Sequence, residues 1–472
     1  MLDQAIRRSS LLRRLRPDHG LEGLRAKLGD RRRYESQIDR LHQRHMGGGR
    51  LWTIAEGNVG LGSVVFERGK VAKMLARAVA GGEYTLKPAH LRVVRSDGKE
   101  RTVFHYGLFD LIVHGVVADI LAEAVESTLS PSLFSYRTGI SWLDGVSSFA
   151  RYARHHYRSR PDPKARGLYV LRRDVAAYTD SIPVGPESIL WSQITAALGL
   201  EADIVSSEPA PWPVVRDAVR ATVFRGEDLV RTLDVGVATG QPIANVAFNL
   251  YLRDLDHEFA AIPGAFYGRY SDDILFAHPD SAVVKGASAR LQQAVHDLRL
   301  ELNAEKGLDL YLTGAGRPSL EWPEARGTNS ILFVGMNVAL DGGVALGGKK
   351  MKRFLREARR RTRNAARTTD GHNEDARGRA VVAALNGLLE PRDAALQGAS
   401  APLLAAAVTD RGQLEWLDHE LARVVASAVS GDKRSSAFRS VPYRKIRSEW
   451  GLKSTRRVRD RGARKDRAQM RG

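Results

Sequence analysis

The chain has 472 residues, 43% of them hydrophobic, with 73 Lys and Arg against 54 Asp and Glu and no cysteine. Such a length holds one large core or two to three domain-sized ones, and the lack of cysteine excludes disulfides, thiolate catalysis and Cys-ligated zinc or iron–sulfur sites. A net charge of +19 and a pI near 10.2 create a positive field that favours a polyanionic partner, nucleic acid foremost.

Residues 1–50 contain two basic, helix-like stretches, Leu2 to Leu15 and Leu21 to His45, before a glycine triplet, Gly47-Gly48-Gly49, that reads as a hinge. Short β-like runs follow, Ala89 to Val94 and Arg101 to Phe104, and the Ser96-Asp97-Gly98 turn between them predicts a hairpin. The most apolar stretch, Leu108 to Val125, is interrupted by Asp110, His114, Asp119 and Glu123. It therefore predicts a long buried helix and no membrane span. With no signal-peptide core at the N-terminus, a soluble cytoplasmic protein is expected.

An irregular loop from Leu129 to Tyr136 leads to an amphipathic helix through Tyr152, and Leu168 to Leu171 begins a strand that closes at Asp174. The segment 184–235 reads as mostly helical, interrupted by prolines from Pro209 to Pro213. A helix opens at Gly240-Gln241-Pro242, where proline suits the first turn, and Ile243, Ala247, Leu250, Tyr251, Leu255 and Phe259 share its core face. Ala265 to Tyr270 and Ile274 to Ala277 read as a hairpin with carboxylates at its bend. The next helix turns Val284, Ala287, Leu291, Ala294, Val295 and Leu298 inward, and Ile331 to Val338 reads as one strand. Beyond Gly348 the chain is helical and basic, with a polar break at Thr368 to Asp375, and 431–472 carries fifteen Lys or Arg against four Asp or Glu.

Asp174 at a strand end and Asp272-Asp273 at a hairpin bend are hard oxygen donors on elements that can lie side by side. Phosphoryl transfer needs such donors to hold divalent cations. Alone, Tyr270-Ser271-Asp272-Asp273 is a weak signal, since Asp at a bend is also ordinary turn chemistry.

Its ordered context is not weak. Arg173-Asp174-Val175-Ala176-Ala177-Tyr178-Thr179-Asp180-Ser181-Ile182 resembles the first catalytic motif of the bacterial reverse-transcriptase family, which includes group II intron, retron and phage-defence-associated enzymes. Gly236-Val237-Ala238-Thr239-Gly240-Gln241-Pro242-Ile243, running into Asn249-Leu250-Tyr251-Leu252 and Leu255-Asp256, resembles the second, Tyr270 to Phe276 the third, Leu302 to Lys306 the fourth and Phe333-Val334-Gly335 the fifth. Upstream, Asp97 to Arg101 with Asp110 resemble the fingers motifs, and Phe134-Ser135-Tyr136-Arg137 the loop after them. The resemblance spans roughly residues 80–345.

The resemblance implies an α+β right-hand polymerase fold: a basic helical N-terminal extension (1–80), fingers (81–166), a palm (167–344, with the helical insertion 184–235), and a helical thumb with a basic C-terminal extension (345–472). It implies an RNA-directed DNA polymerase using two Mg²⁺ ions, with Mn²⁺ as an alternative. Asp174, Asp272, Asp273 and the Val175 carbonyl would be the metal ligands, and Lys306 the general acid toward pyrophosphate. Lys99, Arg101, Tyr178, Thr179, Gly240 and Gln241 would contact the nucleotide. Arg137, Arg444, Lys445, Arg447, Trp450, Lys453, Arg456 and Arg457 are expected on nucleic acid.

Two departures bear on the substrate. Thr179 stands where the family has an aromatic that blocks a ribose 2′-hydroxyl, and Ala238-Thr239 replaces the family's Pro-Gln. The retron-typical Asn-Ala-X-X-His and Val-Thr-Gly elements are missing, which leaves the unassigned and defence-associated group nearest. The expected partners are an RNA template, in its specific form a dedicated non-coding RNA in antiviral defence, a DNA product and deoxynucleoside triphosphates; an oligomer is compatible with this reading. The alternatives are an intron-type maturase that binds RNA, and a template-independent or protein-primed polymerase.

Overall fold

The structure is a computed structural model and describes residues 20–46, 55–57, 59–96, 99–159, 167–201, 203–225, 229–389, 408–432 and 436–459. The expected helix from Leu2 to Leu15, the glycine triplet and the Asp97-Gly98 turn lie outside these residues.

The expected Leu21–His45 helix is two, α1 (Gly20–Leu28) and α2 (Arg31–Met46). The break falls at Gly29-Asp30, where the Asp30 side chain accepts from the Arg32 amide at 3.0 Å and caps the second helix. A short pair, β1 (Ala55–Glu56) and β2 (Val59–Gly60), precedes α3 (Leu61–Phe66) and α4 (Arg68–Gly81). The hairpin follows as expected, β3 (His90–Ser96) against β4 (Lys99–His105), antiparallel from His90↔His105 to Ser96↔Lys99. Helix α5 (Leu108–Val125) is apolar on nearly every side and almost wholly buried, the placement such a helix requires. Among the described residues no helix is long and apolar enough to cross a membrane.

After α6 (Trp142–Ser159), strand β5 (Leu168–Asp174) runs buried from Leu168 to Leu171 and emerges half-buried at Arg172, Arg173 and Asp174. The insertion holds α7 (Tyr178–Ser181), α8 (Ile189–Leu198), α9 (Ile204–Ser207) and α10 (Trp212–Val219), but then departs from the helical expectation. Thr222–Arg225 and Leu229–Thr232 form the antiparallel hairpin β6–β7, because the β-branched Thr222, Val223, Val230 and Thr232, with Phe224, favour an extended backbone over a helix.

Helices α11 (Pro242–Tyr251) and α12 (Arg253–Ala260) bury all six residues expected on their core face. Strands β8 (Phe266–Tyr270) and β9 (Asp273–His278) and helix α13 (Ser281–Asp297) come next, with Val284, Leu291 and Val295 buried and Leu298 only half-buried. Strands β10 (Leu308–Leu312) and β11 (Arg326–Thr328) join β5, β9 and β8 in a five-stranded sheet of order β11-β10-β5-β9-β8. The single strand expected from Ile331 to Val338 is instead a hairpin, β12 (Ser330–Phe333) and β13 (Met336–Ala339), extended by β14 (Val344–Leu346). Val334 and Gly335 both take positive φ, +46° and +76°, the backbone a tight two-residue hairpin turn demands. The remaining helices are α14 (Gly348–Thr368), α15 (Glu374–Leu389), α16 (Arg411–Ser430) and α17 (Ala437–Ser440).

The described residues gather into two compact units. The first draws on the described residues among 1–141, 172–274 and 285–307, the second on those among 142–171, 275–284 and 308–472. Asp174, Asp272, Asp273 and Lys306 all belong to the first.

Candidate active site

Asp174 ends β5, Asp272 lies in the bend between β8 and β9, and Asp273 opens β9, with β5 and β9 adjacent in the sheet. Backbone hydrogen bonds lock these ends together: the Val175 amide donates to the Asp272 carbonyl at 3.1 Å, and the Asn303 amide to the Asp174 carbonyl at 2.7 Å. The second bond brings in the segment that carries Lys306, whose Nζ forms an ion pair with Asp174 Oδ1. Arg172, two residues before Asp174, grips Asp273 with Nε on Oδ1 at 3.0 Å and Nη2 on Oδ2 at 3.2 Å. Asp272 has no ion pair among the described residues.

Burial, and then the nearby Asp174 carboxylate, push the Asp272 carboxyl above its ordinary pKa. Burial likewise raises Asp273, against the pull of Arg172. The partly desolvated carboxylates supply the hard oxygen donors that a divalent cation takes, and so fit one in donor chemistry. Among the described residues no three acidic or histidine side chains converge as a ready ion cage; Asp174 is turned to Lys306 and Asp273 to Arg172.

The bend rests on a buried polar scaffold. Ser271 takes φ +58°; its amide donates to Ser135 Oγ at 3.0 Å, and Ser135 Oγ donates to Asn249 Oδ1 at 3.0 Å. Beneath it Arg269, with a fully buried side chain, places Nε and Nη2 on the two Asp256 oxygens at 2.7 and 2.6 Å. It also donates to the carbonyls of Ser271 and Asn249 at 3.0 Å and of Phe248 at 3.2 Å. Tyr267 adds a 2.7 Å bond to Asp256. Burial alone would lower the Arg269 pKa, but Asp256 more than offsets it and the guanidinium stays charged. Sequence reading set Ser135, Asn249 and Asp256 within motifs without their scaffold role and did not single out Arg269. The available signal was an arginine inside an otherwise apolar strand, which demands an acidic partner on a neighbouring core face.

The other expected contacts divide. Arg101 lies exposed on β4 with no ion pair among the described residues, and Lys99 begins the same strand. Thr179 is half-buried, and its carbonyl accepts from the Val237 amide at 3.0 Å. Gly240 is exposed with φ +95°. Tyr178 is not available to a nucleotide: it is buried and its hydroxyl donates to the Phe248 carbonyl at 2.7 Å. Gln241 is also buried, donating to the Phe104 carbonyl at 3.1 Å, so it ties the glycine loop to β4.

Arg137 is corrected from nucleic-acid contact to loop brace. Its side chain is 8% exposed, paired with Glu126 at 2.7 Å and bonded to the carbonyls of Ser130 and Leu133. In the second unit Trp450 is no free stacking platform, since it is buried over Gly378 and donates to Asp375 at 3.1 Å. Lys445 is held by Glu374 and Asp375, and Arg447 by Asp418 at 2.6 Å. Arg444, Arg456 and Arg457 are exposed and Lys453 half-buried.

No protein family and no curated protein matches the chain. Among solved structures, apo telomerase from Candida tropicalis truncated from its C-terminal domain is 14% identical over 56% of this chain and 56% of that one, with a TM-score of 0.39. Apo telomerase from Candida tropicalis is 12% identical over 79% and 63%, TM-score 0.43. Telomerase from Candida albicans in complex with a TWJ fragment of telomeric RNA is 11% identical over 81% and 67%, TM-score 0.40. The chain thus spans only 56% and 63% of the first two. Similarity at this level carries no functional information.

Proposed function

We propose that the chain is a nucleic-acid polymerase of the reverse-transcriptase type, with a right-hand fold, that adds deoxynucleotides to a DNA 3′-end on an RNA template. The observation that carries this reading is the placement of Asp174, Asp272 and Asp273 at the adjoining ends of neighbouring strands, with Lys306 paired to Asp174. The basic charge of the chain supports a nucleic-acid partner.

Asp174 and Asp272 would hold divalent cations, Mg²⁺ foremost, with Asp273 in support. Those ions, when bound, neutralise the triphosphate and ease deprotonation of the 3′-hydroxyl. Arg172 keeps Asp273 oriented, and Arg269 and Ser135 keep the bend rigid, which preorganises the carboxylates. Exposed Arg101 can bind phosphate oxygens in bidentate fashion. Lys306 neutralises Asp174 and, released from it, is a proton donor toward pyrophosphate.

The test is extension of a DNA primer on an RNA template by the purified full chain with Mg²⁺ and deoxynucleotides. Incorporation that Asp272→Ala abolishes supports the reading; an absence of incorporation on every supplied or co-purifying RNA refutes it. One observation favours a second substrate: Tyr178 is turned into the core, and Thr179 beside it is not aromatic. Faster incorporation of ribonucleotides than deoxynucleotides would select that alternative. A dedicated non-coding RNA template and a role in antiviral defence are further parts of the proposal, tested by sequencing the nucleic acid that co-purifies with the chain.

A further inference from the structure

Large aromatic side chains are ordinarily buried, and in the aromatic group beside the carboxylate bend, where Tyr270 is half-buried, Tyr136 is the exposed member. Tyr178 and Phe248 pack with centroids 5.4 Å apart, and both are buried. Tyr136 lies 6.3 Å from Phe248 and 6.0 Å from Tyr270, the residue that opens the bend, yet is 49% exposed. Its backbone takes φ +53°, a conformation costly for a non-glycine residue.

The chain on both sides enforces that conformation. Before it, the Phe134 amide donates to the Arg269 carbonyl at 2.9 Å and the Arg269 amide to the Ser132 carbonyl at 3.0 Å, which fixes the loop along β8. Asn249 Nδ2 donates to the Ser135 carbonyl at 2.8 Å, and Ser135 Oγ receives the Ser271 amide. After it, Arg137 is braced by Glu126 and two carbonyls. A ring held out of the core, in an unfavourable backbone state, against the residue next to the catalytic carboxylates has a use only if something packs on its open face.

We propose that Tyr136 is a stacking platform for a nucleobase of the strand held over the Asp272-Asp273 bend. An aromatic face takes any base and costs little ordering entropy, because its position is already set. This rests on the polymerase reading for the identity of the strand. Its role is positioning, since the ring touches the base and not the reacting atoms.

The experiment is titration of a primer–template containing 2-aminopurine, at the primer 3′-end or the first unpaired template position, into full-length protein without metal or nucleotide. Wild type, Tyr136→Phe and Tyr136→Trp are expected to quench the fluorescence at one of these positions. Tyr136→Ala and Tyr136→Gly are expected to lose the quenching and bind roughly ten-fold more weakly. The glycine variant removes the ring while accepting φ +53°, so equal loss in both separates the ring from backbone strain. Quenching unchanged in Ala and Gly, or lost equally in Phe, overturns the proposal. Because no catalysis is needed, an inactive wild type that still quenches through Tyr136 would sink the polymerase reading and leave this one standing.

Discussion

Replacing Asp256 by alanine tests whether the buried Arg269 scaffold holds the carboxylate bend. Arg269 and Asp256 have fully buried side chains joined by two bonds of 2.6 and 2.7 Å, and Tyr267 shares the same carboxylate. Without Asp256 the guanidinium is left charged in a site closed to water, with only three carbonyls as acceptors. Breaking one side of such a pair costs about 3–5 kcal/mol, on the order of 10 °C in melting temperature for a unit of this size. Arg269→Met should cost a similar amount. The double variant Asp256→Leu/Arg269→Met should cost about 2–3 kcal/mol less than the sum, since neither charge is then stranded. Thermal melting gives the stability, and hydrogen exchange at the β8 amides and Ser271 reports whether the bend itself loosens. An Asp256→Ala protein that loses less than about 1 kcal/mol, or a double variant whose cost equals the sum of the singles, refutes the reasoning.

Asp272→Asn removes a desolvated charge repelled by Asp174, so in metal-free buffer it should raise the melting temperature while abolishing synthesis; a lower melting temperature contradicts this. Asp110 is buried and accepts from Tyr84 at 2.8 Å; burial raises its pKa to about 6 from 3.8. The unfolded chain therefore releases this proton first, and the Asp110 contribution to stability falls as pH rises from about 4 to 6. Asp110→Asn should flatten that slope and gain on the order of 1–3 kcal/mol at pH 7, measured by urea denaturation across the window; an unchanged slope would count against it. Arg101→Ala should raise the nucleotide KM with a smaller effect on kcat, and the difference from wild type should shrink with added salt. An equal KM at low salt would remove Arg101 from the site.

The order of motifs along the chain was enough to single out Asp174, Asp272, Asp273 and Lys306, and periodicity placed β5, the β8–β9 bend and the buried faces of α11 to α13. These signals are local: alternation, helical spacing and turn chemistry act within a few residues. What they could not show was pairing between distant segments. Arg137 reads as a basic loop residue until Glu126 and two carbonyls consume it, and Trp450 as a stacking ring until Gly378 and Asp375 enclose it. Tyr178 and Tyr136 are both aromatic residues in motif-like segments, yet the fold buries one and exposes the other. The sequence alone determined which carboxylates to watch. Tertiary structure alone decided that Arg172 and Lys306 hold two of them, and that Arg269, Asp256 and Ser135 set the bend. A charge in or beside the core declares its purpose only once its partner, here thirteen residues away for Arg269 and 101 for Arg172, has been folded against it.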